Sequence, residues 1–348
     1  MDYYAGIDVS LEQSSVCVVE GHGKIVREGK VASEPDALIG YFVSLGLTLV
    51  RIGLEAGPLS QWLYASLRQA GLAVELLETR HVRDAFSAMP VKSDRNDARA
   101  IAQLMWLGWF RPVHCKSIAA QEMRAVLTAR KLIQSKLRDI ENSLRGILRG
   151  FGLKVGKTTA RSFAGRIRDL VAGHANLETI AQALLSVHAV LVREFNSFEK
   201  RVRLLARSHV QAALLMTTPA VGPIVALTYA AAIDDPARFS SSKQTGAHFG
   251  LTPRKYQSGE TDRTGRISKI GDAAVREALY QAAHVMLTKP VKGCSALKSW
   301  AMRIARRAGP RKAKVALARK LAVIMHRMLA DTKPFNPVAT SKPMAPAA

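Results

Sequence analysis

Residues 3–8 read Tyr3-Tyr4-Ala5-Gly6-Ile7-Asp8, a short run of strand-forming residues that ends on a carboxylate. Two similar runs follow at 14–19 and 24–31, with turn residues between them. Further apolar patterns predict, in order, a helix from near Pro35 capped by Ser33, a strand at 47–54, a helix at 60–70, a strand at 72–77 and another helix. Three strands followed by two such β–α units predict a mixed sheet flanked by helices.

The chain has 348 residues and a formal net charge of +24, and the positive charge is unevenly placed. Residues 1–119 carry 12 Lys and Arg against 13 Asp and Glu, whereas residues 120–348 carry 39 against 14. This excess predicts a polyanionic partner, because each cation that neutralises a phosphate releases bound counterions. No Trp- and Phe-rich amphipathic segment accompanies the charge, so nucleic acid is favoured over a membrane surface.

The sequence excludes several classes of protein. Its three cysteines lie far apart, which excludes a disulfide scaffold and a cysteine-based zinc site and fits a reducing cytosol. It contains no Walker loop, G-x-G-x-x-G or G-x-S-x-G motif, which argues against ATPases, dinucleotide enzymes and α/β-hydrolases. The charge-free stretch 210–233 is interrupted by Pro219, Gly222 and Pro223, so it predicts two short helices around a turn. The N-terminus lacks the pattern of a signal peptide.

Two segments in the middle of the chain have a heptad spacing. Apolar residues alternate by four and three from Ile133 to Phe151, and the same alternation, with one histidine in the series, runs from Leu184 to Leu205. This spacing predicts two long helices in a coiled coil, either as an antiparallel pair or as half of a dimer. Two ordinary core helices of a bundle fit the same spacing. In both cases the segment would separate one domain from another.

Four carboxylates stand out by their positions. Asp8 ends the first predicted strand, Glu55 ends the fourth, and Asp94 and Asp97 share one face at the start of a predicted helix. Clustered carboxylates repel one another unless a cation lies among them, and a set of oxygen ligands alone selects Mg²⁺ or Mn²⁺. Two such ions could hold the attacking and leaving oxygens of a phosphoryl transfer. The alternative is structural: a cap at Asp8, and first-turn acids at Asp94 and Asp97.

The segments around these carboxylates resemble a known family. They are Gly6-Ile7-Asp8, Glu55-Ala56-Gly57 and Lys92-Ser93-Asp94-Arg95-Asn96-Asp97-Ala98-Arg99. They look like the D-E-D-D tetrad of the RuvC-like, ribonuclease-H-fold domain in one group of bacterial insertion-sequence transposases, the bridge-RNA-guided serine recombinases. The resemblance implies that the four carboxylates are catalytic and bind Mg²⁺ or Mn²⁺.

A turn near residue 220 resembles a second motif. Thr218-Pro219-Ala220-Val221-Gly222-Pro223, followed by an apolar helix, looks like half of a helix-hairpin-helix. In that motif, backbone N–H groups at a helix N-terminus hold a DNA phosphate, which marks Gly222 as a candidate contact. Ala220 stands where the hairpin commonly has glycine, and a simple turn between two helices fits nearly as well.

Residues 249–259 (FGLTPRKYQSG) and 265–271 (GRISKIG) resemble the C-terminal domain of the same transposases, in which a G-L-x-P…S-G stretch carries a nucleophilic serine. The matching residue is Ser258. From the residues alone, this loop serine competes with the hydroxyls of Thr261, Thr264, Ser268 and 240–242, and the loop could be merely a basic DNA contact. The candidate nucleic-acid-binding cations around it are Arg254, Lys255, Arg263, Arg266 and Lys269.

We therefore expect a ribonuclease-H-like α/β domain at 1–112, a coiled-coil helical spacer at 113–208, a mostly helical basic transposase domain at 209–335 and a disordered tail at 336–348. By resemblance, the expected function is ATP-independent cleavage and rejoining of DNA strands for an insertion sequence, in the bacterial cytoplasm at the nucleoid. The expected partners are donor and target double-stranded DNA, a structured guide RNA and further copies of the chain in a homodimer or homotetramer, with no membrane.

Two rival functions remain. The first is a metal-dependent nuclease that resolves Holliday-type junctions with water as the nucleophile, in which Ser258 would only contact phosphate. The second is a non-catalytic nucleic-acid-binding protein with a degenerate nuclease fold, which the intact tetrad disfavours.

Overall fold

The computed structural model describes residues 1–86 and 91–337. The chain divides into two compact units, Met1–Lys116 and Ser117–Ala348. The boundary between the two units lies close to residue 112, where the predicted N-terminal domain ends. Most of the predicted tail, from residue 338 onward, lies outside the described residues.

The first unit contains a five-stranded mixed sheet, as the order of sequence patterns predicts. Its strands are β1 (Tyr3–Asp8), β2 (Gln13–Glu20), β3 (Ile25–Ala32), β4 (Leu49–Glu55) and β5 (Val74–Leu77). Its described helices are α1 (Pro35–Ser44), α2 (Ser60–Gln69), α3 (Thr79–Phe86) and α4 (Asp94–Leu107). The strand order is β3-β2-β1-β4-β5, with the first three antiparallel and with β4 and β5 parallel to β1.

The period of two along each strand separates the two faces of the sheet. On β2, Val16 and Val18 join the core beneath α1 and α2, whereas Cys17 and Val19 join the core beneath α4. The sheet is therefore a layer between α1 and α2 on one side and α4 on the other. Burial on both faces explains the continuous apolar run 16–19 in β2, whereas the edge strand β3 is mostly exposed.

The start of α1 differs from the prediction. Glu34, not Ser33, occupies the N-cap position, and no side chain caps this helix. The buried Ser33 hydroxyl instead donates to the carbonyl of Ser10 at 2.7 Å and bonds the Ser14 hydroxyl at 2.8 Å. Pro35 is the first helical residue, and because it has no N–H, the helix start needs one acceptor fewer.

The second unit is mostly helical, as expected for the C-terminal region. Its helices are α5 (Ile118–Gly150), α6 (Phe163–Val171), α7 (Ala175–Ser208), α8 (Val210–Leu215), α9 (Pro223–Ile233), α10 (Gln244–His248), α11 (Ala273–Thr288), α12 (Ser295–Ala308) and α13 (Pro310–Asp331). Two strands, β6 (Pro253–Ser258) and β7 (Thr261–Ile267), form an antiparallel hairpin. The short helices α8 and α9 confirm the prediction of two helices within 210–233.

The long helices α5 and α7 pack as an antiparallel pair. Arg130 of α5 pairs with Glu199 of α7, whereas further along α5 Glu141 contacts His188 at 3.3 Å. The pair does not form a spacer domain of its own. Met123, Val202 and Ala206 from these helices belong to the same buried core as α8 to α13, so the predicted boundary at residue 208 does not separate two units.

One described helix, α7, is long and apolar enough to cross a membrane by length and composition alone. Its most apolar window has a mean hydropathy of 1.4, and core helices of soluble proteins meet the same criterion. Only 22% of that window is buried. Ile180, Val187 and Val190 contribute to the exposed apolar surface of α7.

Candidate active site

Asp8 and Glu55 lie at the same edge of the sheet. The strands β1 and β4 are parallel neighbours, and Ile7 stands opposite Leu54. The next residue on each strand is therefore the carboxylate, and both follow buried apolar residues. Two acids are held side by side where the parallel strands end, as the sequence pattern predicted.

Two glycines allow α4 to lie directly on these strands. A Cβ atom on Gly6 would overlap the Ala98 carbonyl oxygen and the Ala102 amide nitrogen of α4. A Cβ atom on Gly53 would come within 2.9 Å of side-chain atoms of Ile101 and Met105. Because side chains alternate along a strand, Asp8 and Glu55, each two residues after its glycine, belong to the α4 face of the sheet.

The start of α4 brings the other two acids to this face. Ser93 is its N-cap residue, and its hydroxyl accepts a hydrogen bond from the backbone N–H of Asn96 at 3.3 Å. Asp94 and Asp97 fall in the first turn, where the partial positive charge of the helix N-terminus favours carboxylates. Ala98, which follows Asp97, is one of the residues that pack against β1 at Gly6.

The other three carboxylates lie near enough to Asp8 to influence its ionisation. Burial, followed by the nearby charges of Asp97, Asp94 and Glu55 in that order, raises the pKa of Asp8 from 3.8 to about 6. Lys92 opposes the shift. Burial and like charges destabilise the ionised form of such a carboxylate, and a nearby positive charge would stabilise it.

Glu55 experiences the same environment from the neighbouring strand. Burial raises its pKa, a hydrogen bond with the Thr79 side chain lowers it, the charge of Asp97 raises it and Lys92 lowers it. Thr79 also donates to the backbone carbonyl of Ala56 at 3.0 Å. The sequence pattern gave no reason to assign Thr79 to the site, because its role depends on where α3 begins beside the end of β4.

The donor set fits a divalent cation in its chemistry. It consists of four carboxylates, without nitrogen or sulfur ligands, and its members repel one another. Within the described residues, however, no three His, Cys, Asp or Glu side chains form a group that could hold a metal ion. The carboxylates therefore share one electrostatic environment without standing in the positions of metal ligands.

Glu28 of β3 bonds to the first turn of α4, which carries the acids, and the sequence around Glu28 does not indicate this role. Its carboxylate accepts hydrogen bonds from Arg95 and Arg99, which lie on either side of Asp97 in the chain. These bonds lower the pKa of Glu28 to about 2. The ion pairs join residues 67 and 71 positions apart, so only the fold brings them together.

Ser258 ends β6 in the second unit, so the predicted loop is a hairpin. Gly259, at a φ of +55°, begins its two-residue turn, and Ser258 stands opposite Thr261. Paired residues of an antiparallel ladder share a face, which places Tyr256, Ser258, Thr261 and Arg263 together. Every residue of β6 is exposed. No side chain in the described part of the chain hydrogen-bonds the Ser258 hydroxyl.

The hairpin and its C-terminal flank carry the predicted cations. Lys255 lies on the opposite face of the ladder from Ser258, whereas Arg254 donates to the backbone carbonyl of Ser268 at 3.3 Å. Arg266 is exposed near the end of β7. Lys269 is exposed and has a φ of +56°, in a tight turn between the hairpin and α11.

The turn before α9 contains one residue in the left-handed conformation. Gly222 is the exposed N-cap residue of α9, and Pro223 is its first helical residue. Ala220 adopts a φ of +64°, the left-handed conformation that glycine adopts at little cost. Ala220 therefore stands at a position that glycine would occupy with less strain.

Related sequences identify the family. Residues 5–152 match a transposase family of the DEDD IS110 type, and residues 212–294 match the family described as Transposase IS116/IS110/IS902. This chain is an IS110/IS116-family transposase. The transposase is 26% identical to the transposase for insertion sequence element IS1111A of Coxiella burnetii, over 95% of this chain and 90% of that protein. It is 25% identical to a probable family 20 transposase of Pseudomonas aeruginosa, over 95% and 98% of the two chains.

Among solved structures, a Thermus thermophilus RuvC in complex with Holliday junction substrate is similar to part of the transposase. The similarity covers 32% of this chain and all of that chain, with 16% sequence identity and a TM-score of 0.26. All four carboxylates of the transposase lie inside its 5–152 match, and Ser258 lies inside its 212–294 match.

Proposed function

We propose that the transposase cleaves and rejoins DNA strands at the ends of its insertion sequence, with Asp8, Glu55, Asp94 and Asp97 as ligands of Mg²⁺ or Mn²⁺. The observation that carries this proposal is geometric: Asp8 and Glu55 end two neighbouring parallel strands on the face against which α4 packs, and the first turn of α4 carries Asp94 and Asp97. Bound divalent ions would neutralise this cluster and supply Lewis-acid stabilisation to the oxygens of the reacting phosphate. Because the four side chains are not in ligand positions, we expect them to move together when the ion binds.

We further propose that Ser258 is the nucleophile. Its hydroxyl oxygen would form a bond to phosphorus while one bond from phosphorus to a deoxyribose oxygen breaks, and the proton lost by the serine would balance the one gained by the leaving oxygen. The product is a phosphoserine ester that keeps the energy of the phosphodiester, so attack by a free DNA hydroxyl rejoins the strand without ATP. Arg263, on the same face of the hairpin, would stabilise the charge on the phosphate.

Nucleic acid is the proposed partner of the second unit. Arg254, Lys255, Arg263, Arg266 and Lys269 would contact donor or target DNA, and Gly222 would contact a phosphate at the start of α9. We also propose that a structured guide RNA selects the DNA. The exposed Tyr256 supports a contact with unpaired bases, since an aromatic ring at a surface is a stacking platform for them. Such a protein would act in the bacterial cytoplasm at the nucleoid.

We propose that the active form is a homodimer or homotetramer. The stripe of Ile180, Val187 and Val190 on α7 supports this, because these side chains are 41%, 49% and 46% exposed and lie at heptad-like spacing on one side of the helix. A second copy of the same helix would cover them. The tetrad and Ser258 belong to different units, so a shared site between copies is part of the proposal and needs its own test.

The test is cleavage of a plasmid that carries the ends of the element, with the guide RNA supplied. Asp97→Asn should abolish cleavage while leaving DNA binding within about twofold, since a metal ligand is lost and no contact to DNA. Asp36→Asn is the matched control, because Asp36 is also a first-turn acid but lies on α1. Cleavage by Asp97→Asn at the wild-type rate would refute the catalytic proposal.

A second function, a junction-resolving nuclease that uses water, is favoured by one observation. The Ser258 hydroxyl has no general base bonded to it in the described residues, and a serine hydroxyl is a weak nucleophile without activation. The two functions differ in one product. A covalent protein–DNA adduct forms only when the serine attacks, and clean hydrolysis without an adduct supports the water-dependent nuclease.

A further inference from the structure

The C-terminal part of the second unit contains a long segment without negative charge. Residues 278–330 include 12 Lys and Arg and no Asp or Glu. Most of this segment, from residue 295 onward, lies beyond both family matches, which end at residues 152 and 294. The helices α12 and α13 therefore carry strong positive charge that none of the predicted site residues explains.

These helices form an antiparallel hairpin that gathers the cations. Its turn is at Gly309, and the Lys320 ammonium lies 4.5 Å from the centre of the Trp300 ring across the two helices. Arg303, Arg306 and Arg307 lie on one exposed side of α12, opposite the buried Leu297 and Ala301. On α13, Lys312 precedes Lys320 by eight residues, so the two lie within about 80° of each other around the helix. We define the basic face as Arg303, Arg306, Arg307, Lys312 and Lys320.

The charges of the basic face are uncompensated within the protein. In the described part of the chain, none of its five residues has an acidic side chain within ion-pair distance. Elsewhere in the same unit cations are paired: Lys136 with Asp139, Arg193 with Glu194 and Arg203 with Glu199. Like charges also lie close together on the basic face. Burial lowers the pKa of Lys320, and the nearby charge of Arg303 lowers it as well. Such a surface gains free energy when a polyanion supplies the missing counter-charge.

The side chains on this surface favour a duplex over a single strand. Among the described residues 295–331, Met302 is the only large apolar side chain that is exposed. The two nearby aromatic rings are half-buried, and each has a lysine ammonium over one face, Lys320 at Trp300 and Lys314 at Tyr280. Unpaired bases would find no stacking platform here, in contrast to the exposed Tyr256 of the hairpin. Contacts with backbone phosphates, by contrast, require only cationic side chains.

We propose that the basic face binds the phosphodiester backbone of a nucleic-acid duplex, independently of base sequence. The duplex can be DNA or the paired stem of an RNA, since both present the same phosphate chemistry. This binding site does not depend on the catalytic tetrad or on Ser258. It would hold a duplex against the second unit whatever reaction follows.

The experiment measures binding of the full-length protein to a 20-base-pair DNA duplex of arbitrary sequence by fluorescence anisotropy, over a range of salt concentrations. The test variant is Arg303→Gln/Arg306→Gln/Arg307→Gln. The control, Lys136→Gln/Arg193→Gln/Arg203→Gln, removes the same charge from cations that are already paired. We expect the test variant to bind about 10- to 100-fold more weakly and its salt dependence to lose about three phosphate contacts. The control should stay within about threefold of the wild type.

Two further arms identify the ligand. A 20-base-pair RNA duplex that shows the same loss assigns the site to duplexes in general, whereas an unchanged RNA affinity assigns it to DNA. The proposal is overturned if the test variant binds both duplexes like the wild type, or if the control loses as much affinity. It is also overturned if the test variant loses affinity only for anionic phosphatidylserine vesicles. Asp97→Asn should bind the duplex normally, so failure of the catalytic proposal remains distinguishable.

Discussion

Arg99 of α4 donates hydrogen bonds to both carboxylate oxygens of Glu28 on β3, from Nε to Oε1 at 2.6 Å and from Nη2 to Oε2 at 3.0 Å. Arg95 donates to the same carboxylate from the preceding turn. The two arginines flank Asp97, so the Glu28 carboxylate fixes the turn that carries the acids of α4. The sheet therefore positions two members of the tetrad by an ion pair as well as by packing.

Glu28→Gln should weaken this attachment. Residues that orient metal ligands through hydrogen bonds typically contribute about 10-fold or more to metal affinity, so the concentration of Mn²⁺ at half-saturation should rise by about that factor. Electron paramagnetic resonance of bound Mn²⁺ measures it without any DNA. Glu75→Gln on β5 is the control, because no ion pair of Glu75 occurs among the described residues. Unchanged Mn²⁺ affinity in Glu28→Gln would show that the ion pair has no role in positioning.

The same pair predicts a dependence of stability on pH. The pKa of Glu28 is lowered from 4.5 to about 2 by its bonds to Arg99 and Arg95. A lowered pKa means that the stabilisation is fully present above about pH 4.5 and is lost as the pH falls towards 2. Urea unfolding should therefore show wild type more stable than Glu28→Gln at pH 7, with a difference that shrinks between pH 4.5 and 3. A difference that is constant with pH would contradict the assignment.

Gly6→Ala should destabilise the first unit severely. Its methyl group would overlap backbone atoms of Ala98 and Ala102, which cannot move without lifting α4 from the sheet. We expect a loss of about 3 kcal/mol or more in the free energy of unfolding. Gly40→Ala in α1 is the matched control: nothing lies within 4 Å of its added Cβ, and alanine favours a helix. Denaturant unfolding measures the stability of the two variants. Equal stability would show that α4 does not pack against Gly6.

These residues also show how far the sequence could predict the site. The order of strands and helices followed from apolar periodicity, and the ends of two strands marked Asp8 and Glu55. The close approach of α4 to the sheet could not be predicted from the sequence. A glycine that lies under a helix cannot be distinguished by sequence from any other glycine in a strand. Glu28 was not identifiable for a similar reason, since its partners are distant in sequence. Ser258 was assigned to a loop because alternating polar residues give no apolar pattern, although the turn at Gly259 and register pairing make a hairpin.

Asp8→Asn should stabilise the protein without metal. The pKa of Asp8 is raised from 3.8 to about 6, so its contribution to stability is fully present below about pH 3.8 and is lost as the pH rises through 6. At pH 8 the ionised carboxylate is unfavourable, and the neutral amide removes that cost. A shift of this size corresponds to about 3 kcal/mol, which solvent screening of a partly exposed group reduces to about 1 kcal/mol.

Addition of Mg²⁺ should reverse this order. The ion stabilises the folded wild type, because it binds the clustered carboxylates, and it should stabilise Asp8→Asn much less. Thermal unfolding at pH 8, with EDTA and with 5 to 10 mM MgCl₂ as working conditions, measures both effects. Ca²⁺ is a useful comparison, as it also binds carboxylates. Equal Mg²⁺-dependent shifts in wild type and Asp8→Asn would place the ion elsewhere.

The nucleophile is the most decisive of the proposed roles to test. Ser258→Ala should fold, bind RNA and DNA, and lose both strand cleavage and the covalent adduct, because no other hydroxyl replaces the reacting oxygen. Thr261→Val is the matched control: Thr261 stands directly opposite Ser258 on the same face of the hairpin and also carries a hydroxyl. Denaturing gels with end-labelled DNA detect the adduct, and mass spectrometry of the labelled peptide assigns the residue.

Mixing variants then tests whether the site is shared. If one copy supplies the tetrad and another supplies the serine, a mixture of Ser258→Ala and Asp97→Asn proteins should regain part of the cleavage activity that each lacks alone. Restored cleavage with adduct only on the Asp97→Asn chain, which keeps its serine, would support a site built from two copies. No restoration, in a mixture shown to contain mixed oligomers, would support a site within one chain. Normal cleavage by Ser258→Ala alone would assign the attack to water and make the transposase a hydrolytic nuclease.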